Sequence, residues 1–421
     1  MLALLAAASA AAAAAPLELH VHPGRGNDAQ SGSASSPLKS ITAARDAIRA
    51  FRANDAVDAD GATVLLHSGT HAPFALEAKL DSGAADFPIR YAAAPGAAPL
   101  ISAGVEVPKA SWKPATGMPA GVLMTDLKAL GLSDFGTLPH SGGQIDACDQ
   151  LASQKMQLFH NKNAMLLARY PNIEANGDWL FLYATKGITN GFSIAAGANA
   201  TKVLGWAKEE APFVHGYWAW DWADSIQAIV GAKTGADGVE VTLPTGATSK
   251  PHARFFGLNL KSELDAQNEY YIENSTGTIF YYPSVPLAQW TENPSVSVGD
   301  NAVKVDGTSF VTLDGIIMAH AKDTGVSAVN VSDVLISNCT VFGHGANGVV
   351  IDNAKRSGIV DSHVYDVGCI GVTLSGGNIT TLEPGLNFAL RNRIHHMANF
   401  KRTYQPGLHV RLFNARARVL G

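Results

Sequence analysis

An aspartate and a histidine stand at matched places in the last third of this sequence, and both residue types move protons near neutral pH. With the repeats described below set in phase, His320, Gly343, Asp366 and His396 fall at equivalent positions just after a short strand. Equivalent positions of stacked repeats form a row along one surface. Asp366 and His396 are therefore the candidate catalytic residues. His395, Lys401 and Arg402 follow on the last recognisable repeat and add an imidazole and positive charge to the same face. The plain alternative for each is a solvated turn residue.

A second group is aromatic. Phe213, Tyr217, Trp218, Trp220 and Trp222 lie within ten residues, with Asp221 and Asp224 beside them. Sugars present C–H faces that stack on rings, and their hydroxyls want a carboxylate or amide alongside. Read as a strand, Trp218, Trp220 and Trp222 share one face, and Tyr217 and Asp221 share the other. Tyr217, Trp218, Trp220, Asp221 and Trp222, together with His395, Lys401 and Arg402, make up the candidate substrate-binding set. The rival reading is a Trp face that packs this segment onto the rest of the protein.

These residues need elements to hold them, and the last third supplies a repeat. Val311-Thr312-Leu313-Asp314 lines up with Val334-Leu335-Ile336-Ser337 at a step of 23 residues, and Asn338-Cys339-Thr340-Val341 lines up with Asp361-Ser362-His363-Val364 at the same step. Arg391-Asn392-Arg393-Ile394 follows at a step of 30, the excess falling in the polar loop around Gly376 to Pro384. Between these segments lie Val329-Asn330-Val331, Val349-Val350-Ile351 and Val372-Thr373-Leu374, so each period holds at least two short strands. A period in the twenties with strands and no helix predicts stacked β coils. A β-sandwich with accidental spacing is the alternative, and two in-phase steps of 23 argue against it.

The N-terminal part fits this plan. Leu17 to Val21 reads as a first strand and Pro23 to Pro37 as a loop. Ser40 looks like an N-cap, and Ile41, Ala44, Ile48 and Phe51 follow at helical spacing with arginines opposite. One amphipathic helix there can cap the open end of a solenoid. Thr63 to Leu66, Pro88 to Ala92 and the run around Leu100 read as strands. From about 105 to 300 the pattern is irregular, β-like and rich in loops. The expected organisation is 1–15 signal peptide, 16–104 cap and first coils, 105–300 β-rich insertion, 301–410 coils and 411–421 an atypical tail.

The 421 residues carry a net charge of -5 with only 16% charged residues. That excludes overall disorder and a nucleic-acid binder working by bulk positive charge. Leu2 to Ala15 is almost wholly Leu and Ala, too short to span a bilayer but suited to the core of a secretory signal. The chain is therefore expected to be secreted or periplasmic, with no membrane association after signal removal, and monomeric. Three cysteines without a CxxC pair argue against a disulfide scaffold or a structural zinc, and Cys339 and Cys369 read as small residues on the coils. Asp58-Ala59-Asp60-Gly61 fails as an EF-hand, because Ala56 and His67 sit where ligands belong. No metal site is expected.

Several segments carry a family likeness: His20-Val21-His22-Pro23 with Gly26-Asn27-Asp28, Ser36 to Ile41, Leu167-Ala168-Arg169-Tyr170-Pro171-Asn172, Gly216 to Asp224, and Tyr270 to Ile272 through Gly277 to Pro283. With the coils, they resemble the secreted right-handed parallel β-helix proteins of the pectate-lyase-like superfamily, and are similar to its glycoside-hydrolase branches. The resemblance implies an all-β fold, a right-handed parallel β-helix with an N-terminal capping helix and a β-rich insertion. It also implies a polysaccharide of plant or algal origin as the partner.

Glycoside hydrolysis needs two carboxylates, about 5–5.5 Å apart for retention and about 6.5–9.5 Å for inversion. Coils stack at roughly 4.8 Å, so residues one or two coils apart meet these spacings. Asp366 is the best first member, and no second carboxylate falls in phase with it. In the branches it resembles, the catalytic acids lie on coils further toward the C-terminus. After Val410 the sequence turns basic and loses its turn residues, so the chain is expected to be cut short. Two other readings stay open: a uronate-polymer lyase, with Lys401 or Arg402 accepting the proton and calcium as cofactor, and a non-catalytic glycan-binding module.

Overall fold

The computed structural model describes residues 16–54, 60–138, 155–247, 249–411 and 418–420. The signal segment, Asp58-Ala59, Cys148 and the tail from Leu412 to Ala417 lie outside the described residues. The fold is an all-β right-handed parallel β-helix with three strands per coil, where the repeats called for at least two.

The first sheet stacks Leu17–Val21, Ala62–Leu66, Ile89–Ala93, Ser309–Asp314, Ser332–Ser337, Gly358–Val360, Phe388–Leu390 and Arg418–Leu420, all parallel. The second sheet runs from Gly69–His71 to Arg393–His395, and the third from Phe74–Glu77 to Leu408–Val410. The 23-residue step is the register itself: Leu313 pairs with Ile336, and Met318 with Val341. Alternate side chains point inward and pile up as apolar columns. One runs Leu19, Val64, Tyr91, Leu313, Ile336, Ile359, Ala389, and all seven are buried. Each Leu or Ile in such a column stabilises by about 1.5–3 kcal/mol.

The coil corners explain the scattered Asn, Asp and Gly. Gly315, Asn338, Asp361 and Arg391 recur at one corner, each with φ between 49° and 70°. His320, Gly343, Asp366 and His396 recur at another, with φ of 64°, 67°, 57° and 51°. Left-handed backbone favours Gly, Asn and Asp, so His and Arg there mark positions set by the coil geometry.

The helix Ile41–Arg52 buries Ile41, Ala44 and Ile48 against the first coils and closes that end. Ser40 caps it, its Oγ accepting from the Ala43 amide at 3.1 Å. Ser40→Ala should cost about 1 kcal/mol, read as a lowered urea midpoint with an unchanged slope.

Between Pro99–Ser102 and Asn301–Asp306 the chain leaves the coils and returns. The intervening residues build four antiparallel or mixed sheets with three cores among the described residues, one around Tyr270, Ile279 and Trp290, one around Phe192, Trp206 and Trp218, and a smaller one around Val122, Tyr271 and Phe280. Arg90 and Asp314, on strands that are neighbours in the first sheet, form an ion pair across this excursion. Cys339 is free and buried, as read. Cys369 is not a plain small residue: it is disulfide-bonded.

Candidate functional site

The insertion lies over the corner row of His320, Gly343, Asp366 and His396. Phe159 stacks on His320 at 4.8 Å. A side chain on Gly343 would meet the Phe159 ring at 3.2 Å, so glycine lets the insertion approach there. One coil further, the Ala164 amide donates to Asp366 Oδ2 at 2.6 Å, and Asn399 Nδ2 donates to Oδ1 at 2.9 Å. His396 remains exposed and hydrogen-bonds to His395, whose Nε2 lies 2.6 Å from His363 Nε2.

Beside Asp366 the insertion and the coils enclose a cavity of about 140 Å³. That is about the size of a cavity that takes one benzene, or roughly five waters, so it has room for a single ring. Its wall includes Asp366 and Asn399 from the coils and Gln157, Arg169, Trp179 and His215 from the insertion. Burial pushes the Asp366 carboxyl above its ordinary value, and the Ala164 and Asn399 donors only partly offset this. A carboxyl so placed holds its proton to higher pH than a free aspartate.

His215 sits on strand Phe213–Gly216, with its Nε2 2.7 Å from Asp224 Oδ2. Burial depresses the imidazole pKa more than Asp224 raises it, so the ring is neutral. With Nε2–H donated to Asp224, Nδ1 carries the lone pair. Asp224 is wholly buried. It pairs with Lys401 Nζ at 3.1 Å and accepts from the Arg402 and Thr403 amides at 3.0 Å each. Burial opposes its charge, but His215, Lys401 and the Arg402 amide outweigh it and hold the carboxyl far below the usual carboxylate range. The network pins the insertion to the last coil, in the segment between Arg393–His395 and Leu408–Val410, and fixes the His215 ring.

The aromatic segment differs from its reading as a strand. The strand stops at Gly216, where a Cβ would meet Trp218 at 2.7 Å and Phe255 at 2.8 Å. Trp218 therefore does not share a face with Trp220 and Trp222. It is buried against Phe192 and Phe255, its Nε1 donating to the Ser225 carbonyl. Tyr217 is buried too, with Arg254 over its ring at 4.0 Å. Asp221 is exposed and paired with Lys250 at 2.9 Å. Lys401 is buried in the Asp224 network and so is a structural anchor, not a group facing substrate. Arg402 lies over the Trp179 ring at 4.0 Å, on the side of the cavity. Trp220 and Trp222 are 45% and 47% exposed and stack on each other at 5.2 Å and 13°. Tyr404, 68% exposed, joins them at 5.9 Å from Trp222.

His215, Gln157 and Trp179 were missing from the sequence reading, and Arg169 appeared in it only as part of a likeness. Among the described residues, no three His, Cys, Asp or Glu side chains gather as a metal site, so no step is routed through calcium.

Residues 270–400 match the sequence profile of a family described as the right-handed β-helix region. The chain is similar to a solved structure described as a glycoside hydrolase, with a TM-score of 0.71 and 15% identity, over 91% of this chain and 74% of that one. The complex of XylC with xylose is similar at a TM-score of 0.45 and 13% identity, over 94% of this chain and 56% of that one. The tailspike gp61 of Pseudomonas phage phi297 is similar at a TM-score of 0.24 and 12% identity, over 84% and 45%. No curated protein matches the sequence. The first similarity and the family profile agree on the coil architecture.

Proposed function

We propose that this protein is an exported carbohydrate-active β-helix protein that hydrolyses a plant or algal polysaccharide in the cavity beside Asp366. The observation that carries this is the placing of a carboxyl with a raised pKa and a neutral, carboxylate-anchored imidazole on one cavity wall. Protonated Asp366 gives its proton to the glycosidic oxygen as the bond breaks. His215 Nδ1 takes a proton from the water that attacks the anomeric carbon. The disulfide at Cys369 supports an oxidising compartment, in line with the N-terminal signal reading.

The test is reducing-sugar release from a panel of hemicelluloses and algal polysaccharides, with Asp366→Asn and His215→Ala as controls. Release by the parent protein that both variants abolish is the expected result. No release and no binding by the parent would sink the proposal.

A lyase is the second reading, favoured because Asp366 is the only carboxylate on the wall among the described residues. In it His215 removes the proton beside a uronate carboxylate, and Asp366 protonates the departing oxygen. An unsaturated product absorbing in the ultraviolet, from pectin or alginate with or without calcium, would select the lyase.

Trp220, Trp222 and Tyr404 suit a polysaccharide chain outside the cavity, since the exposed ring cluster, with Tyr404 tilted 55° to Trp222, offers faces to sugar C–H groups. Trp220→Ala with Trp222→Ala should release the protein from insoluble polysaccharide while moving stability by about 0.5 kcal/mol or less per site. Trp218→Ala should instead cost about 3–5 kcal/mol, because it empties a packed core. Pull-down and urea unfolding of the same variants separate the two roles.

A further inference from the structure

Resting on the carbohydrate reading above, we infer that the cavity takes an acidic sugar, whose carboxylate is received by Arg169 and Gln157. Two groups on the cavity wall are under-partnered for their burial: the Arg169 guanidinium bonds to no carboxylate, and the Gln157 Nε2 bonds to no acceptor among the described residues. Arg169 is 2% exposed and lies in the corner formed by the rings of Phe256 (3.8 Å) and Trp179 (4.5 Å). Its Nε donates to the Pro171 carbonyl at 3.0 Å and one terminal nitrogen donates to the Leu180 carbonyl at 3.4 Å. Both partners are neutral, and among the described residues none of its side-chain bonds goes to a carboxylate. Gln157 is 3% exposed, and its Nε2 has no hydrogen-bond partner among the described residues.

A buried guanidinium without a counter-charge is costly, and a buried amide N–H without an acceptor adds to that cost. A ligand carboxylate removes both costs, since its two oxygens accept only, and Arg is the side chain best shaped to meet them.

The acids nearby do not already serve this purpose. Glu269 is the carboxyl whose charge Arg169 feels most. Its oxygens accept from the backbone amides of Arg169, Ala266 and Asp265 at 3.2, 3.2 and 3.3 Å. Burial pushes its pKa up, to about 8, although those amides oppose the rise, and neither of its oxygens accepts from the Arg169 side chain. Asp366 has both oxygens occupied by Ala164 and Asn399. Arg402, which also lies over the Trp179 ring, adds a second positive charge close to Arg169. The apolar remainder of the wall, with Leu167, Phe256 and Phe400, suits a ring body whose one charged arm points at Arg169.

The test compares methyl glucuronide and methyl galacturonide with methyl glucoside and methyl galactoside, with sodium acetate as a third arm, by calorimetry and saturation-transfer NMR on the full chain. Each sugar pair differs only at the carboxylate. At least tenfold tighter binding of the uronides, weakening as salt rises, is expected. Arg169→Gln should erase that preference, and Gln157→Leu, which keeps the charge, should reduce it several-fold. Equal or tighter binding of the neutral glycosides overturns the acidic-sugar inference and leaves the carbohydrate reading standing. Binding of acetate as tight as the uronides overturns the sugar part. Binding of none of them overturns both. The comparison on the parent protein decides the matter even if Arg169→Gln fails to fold.

Discussion

Asp366→Asn is expected to lower turnover of the responsive polysaccharide by about 10²- to 10⁴-fold, the range of a lost general acid. The fold should tolerate the change. An amide keeps one acceptor for the Ala164 amide or the Asn399 side chain, and it removes a charge that burial already disfavours. Stability at neutral pH should therefore move by no more than about 1–2 kcal/mol. The pH profile gives the finer check. The acid must be protonated, so activity falls as pH rises through the raised Asp366 pKa, above the free-aspartate value of about 3.9. On the acid side, activity is lost as His215 gains a proton, below its ordinary value of about 6.5 because burial depresses it. The Asp366→Asn variant should lose the alkaline limb, and retention of that limb would remove Asp366 from the role. The same group contributes to stability with the opposite sign to a paired carboxylate. Its folded pKa lies above the unfolded one, so stability falls as pH rises through that interval.

Asp224→Ala should destabilise the protein by about 3–5 kcal/mol, because it leaves the Lys401 ammonium buried without its partner. Activity should fall by about 100-fold or more through the loss of the His215 orientation. Asp224→Ala combined with Lys401→Met removes the stranded charge. That pair should regain much of the stability without regaining activity, a split that a merely structural Asp224 would not produce. Urea unfolding and turnover measured on the same samples decide this. Acid adds a second handle. The folded pKa of Asp224 lies far below its unfolded value, so its contribution is present above about pH 3.9 and lost as pH falls from there toward the folded pKa. The parent should weaken on acidification in that range more than the double variant does.

The coils were legible because their physics is local. A 23-residue step places like residues on like residues, and the register from Val311 to Val334 and from Val341 to Val364 is the one the repeats display. The row holding Asp366 followed from the same arithmetic, and its shared left-handed backbone gives it a cause. Val349 to Ile351 and Val372 to Leu374, read as strands, fall on the third sheet, whereas Val329-Asn330-Val331 straddles the corner after Thr324–Val329, where Asn330 is left-handed. The cavity was not legible, because its wall joins residues near 157, 169, 215, 256 and 366, which no periodicity links. Asp224 shows the limit most clearly. It looked like a sugar contact beside tryptophans, whereas the structure spends it wholly on His215, Lys401 and two amides. Burial of a carboxylate depends on the distant chain that folds over it, and that chain here begins 177 residues later.

The excursion between Ser102 and Asn301 has a consequence for the order in which this molecule assembles. After Asn301 each strand finds its neighbour 23, 30 or 36 residues along, so those coils can zip one onto the next with little chain entropy to overcome. The joint at which Phe74–Glu77 meets Asn301–Asp306, and Ile89–Ala93 meets Ser309–Asp314, closes a loop of over 200 residues. That closure is the costly encounter, and it becomes cheaper once the excursion has collapsed onto its own cores and drawn its ends together. The rate at which the whole molecule acquires its native state is thus set at one seam, by the folding of a segment that contributes no strand to the three coil sheets.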